Sequence, residues 1–319
     1  MRYLWNSFRW HFHNNRKQNI LMSKESSVSV IIPCYNSASS IKRAVDSVLL
    51  QNLISFEVII IDDGSTDNTL EVVYSLACPN LTVIKLGHAG VSVARNAGIS
   101  TARGRFIAFL DSDDEWLQGK IALQIKILEE YPEIALVATN AEYINAAGKV
   151  VAQRKQTATG YILRRLTHGN NIVTSSVLTR RRILADLVPA FRPGMKVGED
   201  WLLWMRIAAR YSCRIVGKPL VRFYWLNPDK YSETDFRLGW EHIAAGIAED
   251  QVLSRHINWI LPIIWSNFHY SLASRCFEER NYELFWKEIE AAWKYCPGNI
   301  RGFLHFFRII SGNLLSNRS

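Results

Sequence analysis

Four short runs, largely apolar and rich in β-branched residues, punctuate the first third of the chain: Val28 to Pro33 (VSVIIP), Phe56 to Ile61 (FEVIII), Leu81 to Leu86 (LTVIKL) and Arg105 to Leu110 (RFIAFL). Each is followed by a polar turn and a helix-like segment, the pattern of βα units. Apolarity that runs on instead of alternating predicts strands buried on both faces, hence a parallel sheet between helices. A fifth strand is predicted over Ile134 to Thr139, then a hairpin through Asn145-Ala146-Ala147-Gly148 and a less regular middle. The stretch "VGEDWLLWMRIAARY" predicts a turn and an amphipathic helix, with Leu203, Ile207 and Tyr211 at helical spacing. From about Phe236 the pattern is helical and aromatic, without repeats or low complexity.

Ligands in open sheets of this kind bind beyond the carboxyl ends of the strands. Those ends read Pro33-Cys34-Tyr35-Asn36, Asp62-Asp63-Gly64, Gly87-His88-Ala89-Gly90 and Asp111-Ser112-Asp113. The last is the most charged, because Asp114 and Glu115 follow it directly in "FLDSDDEW". Carboxylates this close raise one another's pKa unless a cation or hydrogen-bond donors compensate. One reading is a solvated acidic turn in which Asp114 and Glu115 favour the start of the next helix. The other is a site for Mn²⁺ or Mg²⁺, hard ions that bind through one or two carboxylates plus substrate phosphates. Asp113 is then the best single ligand, with Asp111 reaching the metal, a metal-bound water or a nucleotide sugar. A lysine-bearing phosphate loop and a G-x-G-x-x-G after a strand are both missing, so a nucleotide here needs its phosphates neutralised by metal.

Composition narrows the class. With 319 residues and 48% hydrophobic content, the chain fits one large or two small globular domains. The five cysteines are scattered and suggest neither a disulfide framework nor zinc, which fits a reducing, cytosolic location. A formal charge of +9 suits anionic lipid or phosphorylated substrates, and no nucleic-acid motif accompanies it, so no nucleic-acid partner is expected. The start, "MRYLWNSFRWHFHNNRKQ", is too polar for a signal peptide. It reads either as a docking helix or as an aromatic, basic foot on anionic lipid. Ile257 to Ser274 carries no acidic or basic group, yet Asn258, Pro262, Asn267 and His269 make it a packed helix instead of a membrane span. Residues 1–25 are thus an extension, 26–232 the α/β domain and 233–319 a helical region.

Taken in order and spacing, "VSVIIPCYN", "VIIIDDGSTDNTL", "GVSVARNAGISTARGRFIAFLDSDDEW" and "GEDWLLWMRIA" resemble the glycosyltransferase family 2 enzymes. The resemblance covers roughly residues 26–230. It implies the GT-A fold, an α/β architecture with a Rossmann-like, mostly parallel sheet, here with a C-terminal helical appendage. It also implies inverting transfer of a sugar from a nucleotide-diphosphate donor, usually UDP-linked, with Mn²⁺ or Mg²⁺. By resemblance, Pro33, Tyr35 and Asn36 form the base-binding turn, and Asp62 accepts a hydrogen bond from the uracil ring. Asp63 reads first as a helix cap. Arg95 and Asn96 match the block beside the donor diphosphate, and Asp111-Ser112-Asp113 matches the DxD metal and diphosphate site. Glu199-Asp200 matches the later ED block, whose aspartate is the general base, with Glu199 on the acceptor or sugar side. Trp201 either packs on a sugar ring or belongs to the core. One departure concerns the metal: where many relatives carry a histidine, Tyr224-Trp225-Leu226-Asn227 places Asn227.

The expected function is sugar transfer to a glycan or lipid-linked acceptor in bacterial surface polysaccharide synthesis (lipopolysaccharide, O-antigen or capsule), peripherally at the inner face of the cytoplasmic membrane. Two rivals are a non-catalytic nucleotide-sugar-binding subunit and a metal-dependent phosphatase. The second expects its D-x-D on the first strand of the domain, not the fourth.

Overall fold

The structure, a computed structural model, describes residues 27–51, 55–153, 155–224, 231–300 and 302–304. The N-terminal extension, Asn227 and all but the start of the terminal "FLHFFRIISGNLLSNRS" lie outside the described residues.

The chain opens with β1 (Val28–Cys34), α1 (Ile41–Leu49), β2 (Phe56–Asp62), α2 (Thr69–Ser75), β3 (Leu81–Lys85), α3 (Val91–Thr101) and β4 (Phe106–Phe109). The four strands lie in the order β3-β2-β1-β4 and are all parallel. Their continuous apolarity has the predicted cause. Ile31, Ile59, Ile61, Ile107 and Phe109 bury one face of the sheet, and Val30, Ile32, Val58, Ile60, Phe106 and Ala108 bury the other. Gly98 lets α3 settle onto the first of these faces, since a Cβ there would lie 2.6 Å from Ile31 Cγ2 and 2.9 Å from Ile61 Cδ1.

Beyond β4 come β5 (Glu115–Trp116), α4 (Lys120–Glu130), β6 (Ile134–Ile144), β7 (Val150–Gln153), β8 (Ala158–Gly160) and α5 (Leu163–Leu166). A turn of 3-10 helix, Thr174–Ser176, leads into β9 (Val177–Arg180), α6 (Arg181–Ala185), α7 (Glu199–Ala208) and β10 (Ser212–Tyr224). The expected hairpin forms between β6 and β7, closed by Asn145 N–H donating to Lys149 O. Two sheet strands go beyond the predicted pattern, one in the irregular middle and one after α7. β9 inserts antiparallel between β4 and β6, and β10 runs parallel to β6. In β10, Arg214, Lys218 and Arg222 interrupt the apolar residues, and the structure absorbs Gly217-Lys218-Pro219 as a register shift within one long strand. Glu115 belongs to β5, paired with β10, and α4 starts only at Lys120, so Glu115 does not open the next helix as expected.

The C-terminal region is helical: α8 (Glu233–Glu249), α9 (Gln251–Ile257), α10 (Leu261–Glu278) and α11 (Tyr282–Tyr295). Ile243, Ile247, Leu253, Ile257, Ile260 and Ile264 share a core with Leu202, Leu203 and Ile207 of α7. Asp250 joins the two regions further by accepting from Arg206 at 3.2 Å and Arg210 at 2.7 Å while capping α9 through the N–H groups of Val252 and Leu253. A second small core of Tyr270, Ala273, Cys276, Phe285 and Ala292 ties α10 to α11. Among the described residues no helix is long and apolar enough to cross a membrane.

Candidate functional site

One arginine joins the turn beyond β4 to the N-terminus of α7. Arg95, on α3, is buried and donates from Nη2 to Asp111 Oδ1 and from Nη1 to Glu199 Oε1, each at 2.7 Å. Burial opposes its charge, but Asp111 and Glu199 outweigh that and raise its pKa above the ordinary guanidinium value. The cation expected beside the acidic turn is therefore partly supplied by the protein itself.

The acidic turn is further pinned from below. Asp114 is fully buried; its Oδ2 accepts from Ser175 Oγ at 2.5 Å and its Oδ1 from Tyr224 N–H at 3.1 Å. Burial, then the nearby Asp113 and Asp111, push its pKa well above the usual carboxylate range. Asp114 is thus a structural clip between the acidic turn, the 3-10 turn and β10, which corrects the expectation of a solvated helix-starting acid. Asp111 N–H donates to Ser175 Oγ at 3.0 Å, Ser112 Oγ lies 2.8 Å from Ser37 Oγ, and the Asp113 carbonyl accepts from Arg43 at 2.7 Å. The Arg43 guanidinium stacks 3.9 Å above the Tyr224 ring.

At the β1 and β2 ends, Pro33 is buried in the strand and Tyr35 is 45% exposed, its ring centroid 4.4 Å from that of His88. Asn36, in the left-handed conformation (φ 48°), accepts at Oδ1 from the N–H groups of Thr66 and Asp67 and so folds the β2 loop against β1. Asp62 is buried and accepts from Ser65 N–H at 3.3 Å. Asp63 does not cap α2: its two oxygens accept from Ala89 N–H (2.6 Å) and Gly90 N–H (2.8 Å), shaping the turn before α3. Asp67 takes the position at α2 instead, accepting from Thr69 N–H at 3.0 Å.

Two further expected residues turn elsewhere. The Asn96 amide is paired with the Phe191 backbone, donating to its carbonyl at 2.7 Å and accepting from its N–H at 3.0 Å. Trp201 is a core residue: it is buried, its indole N–H donates to Leu166 O at 2.8 Å and its ring meets Trp240 edge-on at 5.1 Å.

Glu199 and Asp200 form the first turn of α7, where the helix dipole favours acids. Burial, with help from neighbouring Asp200 and against the pull of Arg95, raises the Glu199 pKa from the ordinary 4.5 to about 7. Because the folded state then holds that proton more tightly than the unfolded chain, this carboxyl's contribution to stability falls as pH rises from about 4.5 to about 7. Glu199→Gln removes the titration, so wild-type stability relative to the variant is expected to decline across that window in urea melts. A difference that stays flat with pH would show that Glu199 titrates normally.

Asp200 is held on both oxygens. Oδ1 accepts from Asn170 Nδ2 (3.0 Å) and Trp201 N–H (2.7 Å), and Oδ2 from Thr174 Oγ1 (2.7 Å). Asn170, Thr174, Ser175 and Arg43 are absent from the sequence reading. They carry no motif, and for Asn170, Thr174 and Ser175 the hint is the run of small polar residues in "GNNIVTSS".

A mostly parallel sheet with carboxylates converging at its strand ends, and an acid-led helix completing them, defines a GT-A transferase domain. The family model described as Glycosyl transferase family 2 matches residues 29–188, ending just before Glu199 and Asp200. An uncharacterized glycosyltransferase of Rickettsia felis is 31% identical over 278 residues, covering 81% of this chain and 44% of the relative. Escherichia coli WfgD, a UDP-Glc:alpha-D-GlcNAc-diphosphoundecaprenol beta-1,3-glucosyltransferase, is 34% identical over 184 residues, covering 56% of this chain and 69% of WfgD. The crystal structure of S. aureus TarS 1-349 superposes with a TM-score of 0.62 at 26% identity, covering 77% of this chain and 72% of that one. The chain belongs to glycosyl transferase family 2. It spans less than half the length of the Rickettsia relatives that it matches.

Proposed function

We propose that the protein transfers a sugar, with inversion, from a UDP-linked donor to a glycan or lipid-linked acceptor during bacterial surface polysaccharide synthesis. The observation that carries this reading is the single hydrogen-bonded chain that links Asp111, Arg95 and Glu199 to the helix turn bearing Asp200. It ties the proposed donor-side carboxylate and the helix turn bearing the candidate base to one buried cation. The UDP donor is supported by the name of WfgD, a relative at 34% identity.

In the proposed reaction Asp200 takes the proton of an acceptor hydroxyl as that oxygen bonds to the anomeric carbon. The bond from that carbon to the donor phosphate breaks at the same time, and its electron pair leaves with UDP. Tyr35 offers an exposed ring face for the base, and Asp62 a carboxylate at the adjoining strand end.

The donor set fits a divalent ion that is completed by substrate. Among the described residues no group of three or more acidic, histidine or cysteine side chains forms a metal cage, and Asp111 Oδ2 has no hydrogen-bond partner. Asp111 and Asp113 would hold the ion, with diphosphate oxygens filling its remaining positions. When bound, Mn²⁺ or Mg²⁺ supplies Lewis-acid neutralisation of the departing diphosphate.

The test is a released-UDP screen over several UDP-sugars with Mn²⁺ or Mg²⁺, with and without a GlcNAc-diphospholipid acceptor. Release from one donor that chelation by EDTA abolishes is the expected outcome; release indifferent to every divalent ion would remove the metal from the reading. Exposed Trp259, Trp286 and Trp293 in the helical region, with the chain's charge of +9, support peripheral contact with anionic membrane. Sedimentation with phosphatidylglycerol vesicles, lost in high salt, is the check, and no sedimentation would overturn it.

A further inference from the structure

We infer that Thr174 and Asn170 are positioning residues that orient the Asp200 carboxylate and select the oxygen that takes the proton; this rests on the reading of Asp200 as base. A carboxylate oxygen offers two lone-pair directions in its plane. Oδ1 of Asp200 has both engaged, by Asn170 and by the Trp201 N–H, whereas among the described residues Oδ2 accepts only from Thr174. One position on Oδ2 is therefore left for the acceptor hydroxyl.

Both donors are themselves fixed. Asn170 Oδ1 accepts from Ile172 N–H at 3.2 Å, which assigns the amide nitrogen to Asp200. Thr174 is buried, and its single hydroxyl proton is committed to Oδ2 at 2.7 Å.

The segment is anchored on the other side to the acidic turn. Ser175, the next residue, donates to Asp114, accepts from Asp111 N–H and, through its carbonyl, accepts from Trp116 Nε1 at 2.7 Å. Gln124 Nε2 donates to Ser176 O at 2.8 Å. Consecutive hydroxyls, Thr174 and Ser175, thus hold the base and the donor-side turn, and the 3-10 turn fixes the spacing between them. Catalytic groups need placement to within about half an ångström, which a rigid turn supplies better than a long side chain.

The test follows UDP release from UDP-glucose with a GlcNAc-diphospholipid acceptor, for Thr174→Val, Thr174→Ser and Asn170→Ala, each alone and with Asp200→Asn. Thr174→Val is expected to lower kcat roughly ten- to a hundredfold with KM for UDP-glucose little changed, and Thr174→Ser to restore most of the loss. Asn170→Ala, at an exposed position, is expected to lower kcat in the same way with an unchanged melting temperature. In the Asp200→Asn background Thr174→Val should cost about twofold or less, because the group it orients can no longer take the proton. An equal cost in both backgrounds, or a loss that falls on KM, would make Thr174 merely structural and overturn the inference. Turnover retained by Asp200→Asn itself would instead overturn the base, a separate result read from the single variant.

Discussion

Arg95→Met is expected to destabilise the fold by about 3–5 kcal/mol at pH 8, seen as a lower urea midpoint with an unchanged slope. The methionine fills most of the same space beside Phe191, whose ring lies 5.1 Å from the guanidinium carbon, so packing loss is small. What is lost is the counter-charge of two carboxylates, one of them, Glu199, buried. The cost has a pH signature. Glu199 titrates near 7, so at pH 5.5 it is protonated in both proteins and only the loss at Asp111 remains. The midpoint difference should therefore widen as pH rises from 5.5 to 8. Arg95→Lys keeps the charge but cannot span both partners with a fork, and it should fall between the two. A wild-type midpoint for Arg95→Met at pH 8 would mean that the pair of ion bridges carries no weight.

Asp200→Asn is expected to lower the rate of sugar transfer by about 10²- to 10⁴-fold while UDP binding persists. The amide keeps the shape of the carboxylate and the hydrogen bonds to its oxygen, but it cannot take a proton. The proposed donor-side residues Tyr35, Asp62 and Asp111 lie on other elements and make no hydrogen bond to Asp200, which is why binding and turnover should separate. Calorimetric titration with UDP and Mn²⁺ beside the release assay makes the comparison; turnover near wild type would place the base elsewhere.

The parallel half of the sheet was legible because its strands are apolar on both faces, which leaves no other place for them than between helices. The antiparallel insertion of β9 and the long β10 were not. Each mixes Arg or Lys with apolar residues, and their burial depends on partners far away in sequence, as when Arg180 donates to Ile134 O at 2.9 Å. At the site, acidic residues at strand ends and at the head of α7 were visible as chemistry. Their supports were not: Thr174, Ser175 and Asn170 are single donors on a loop, and their role exists only once α7 and the acidic turn are folded against them. Asp63 and Asp114 show the converse, since an acid beside a turn reads as a helix cap until the structure reveals which N–H groups it reaches.

Inversion by a single displacement is what the oriented carboxylate of Asp200 is proposed to perform. The anomeric proton coupling of the glycoside formed from an α-linked UDP-sugar, read by NMR on the purified product, reports it without assumption about rate. A newly formed β-linkage is predicted, and an α-linkage would contradict direct attack by an acceptor that Asp200 deprotonates.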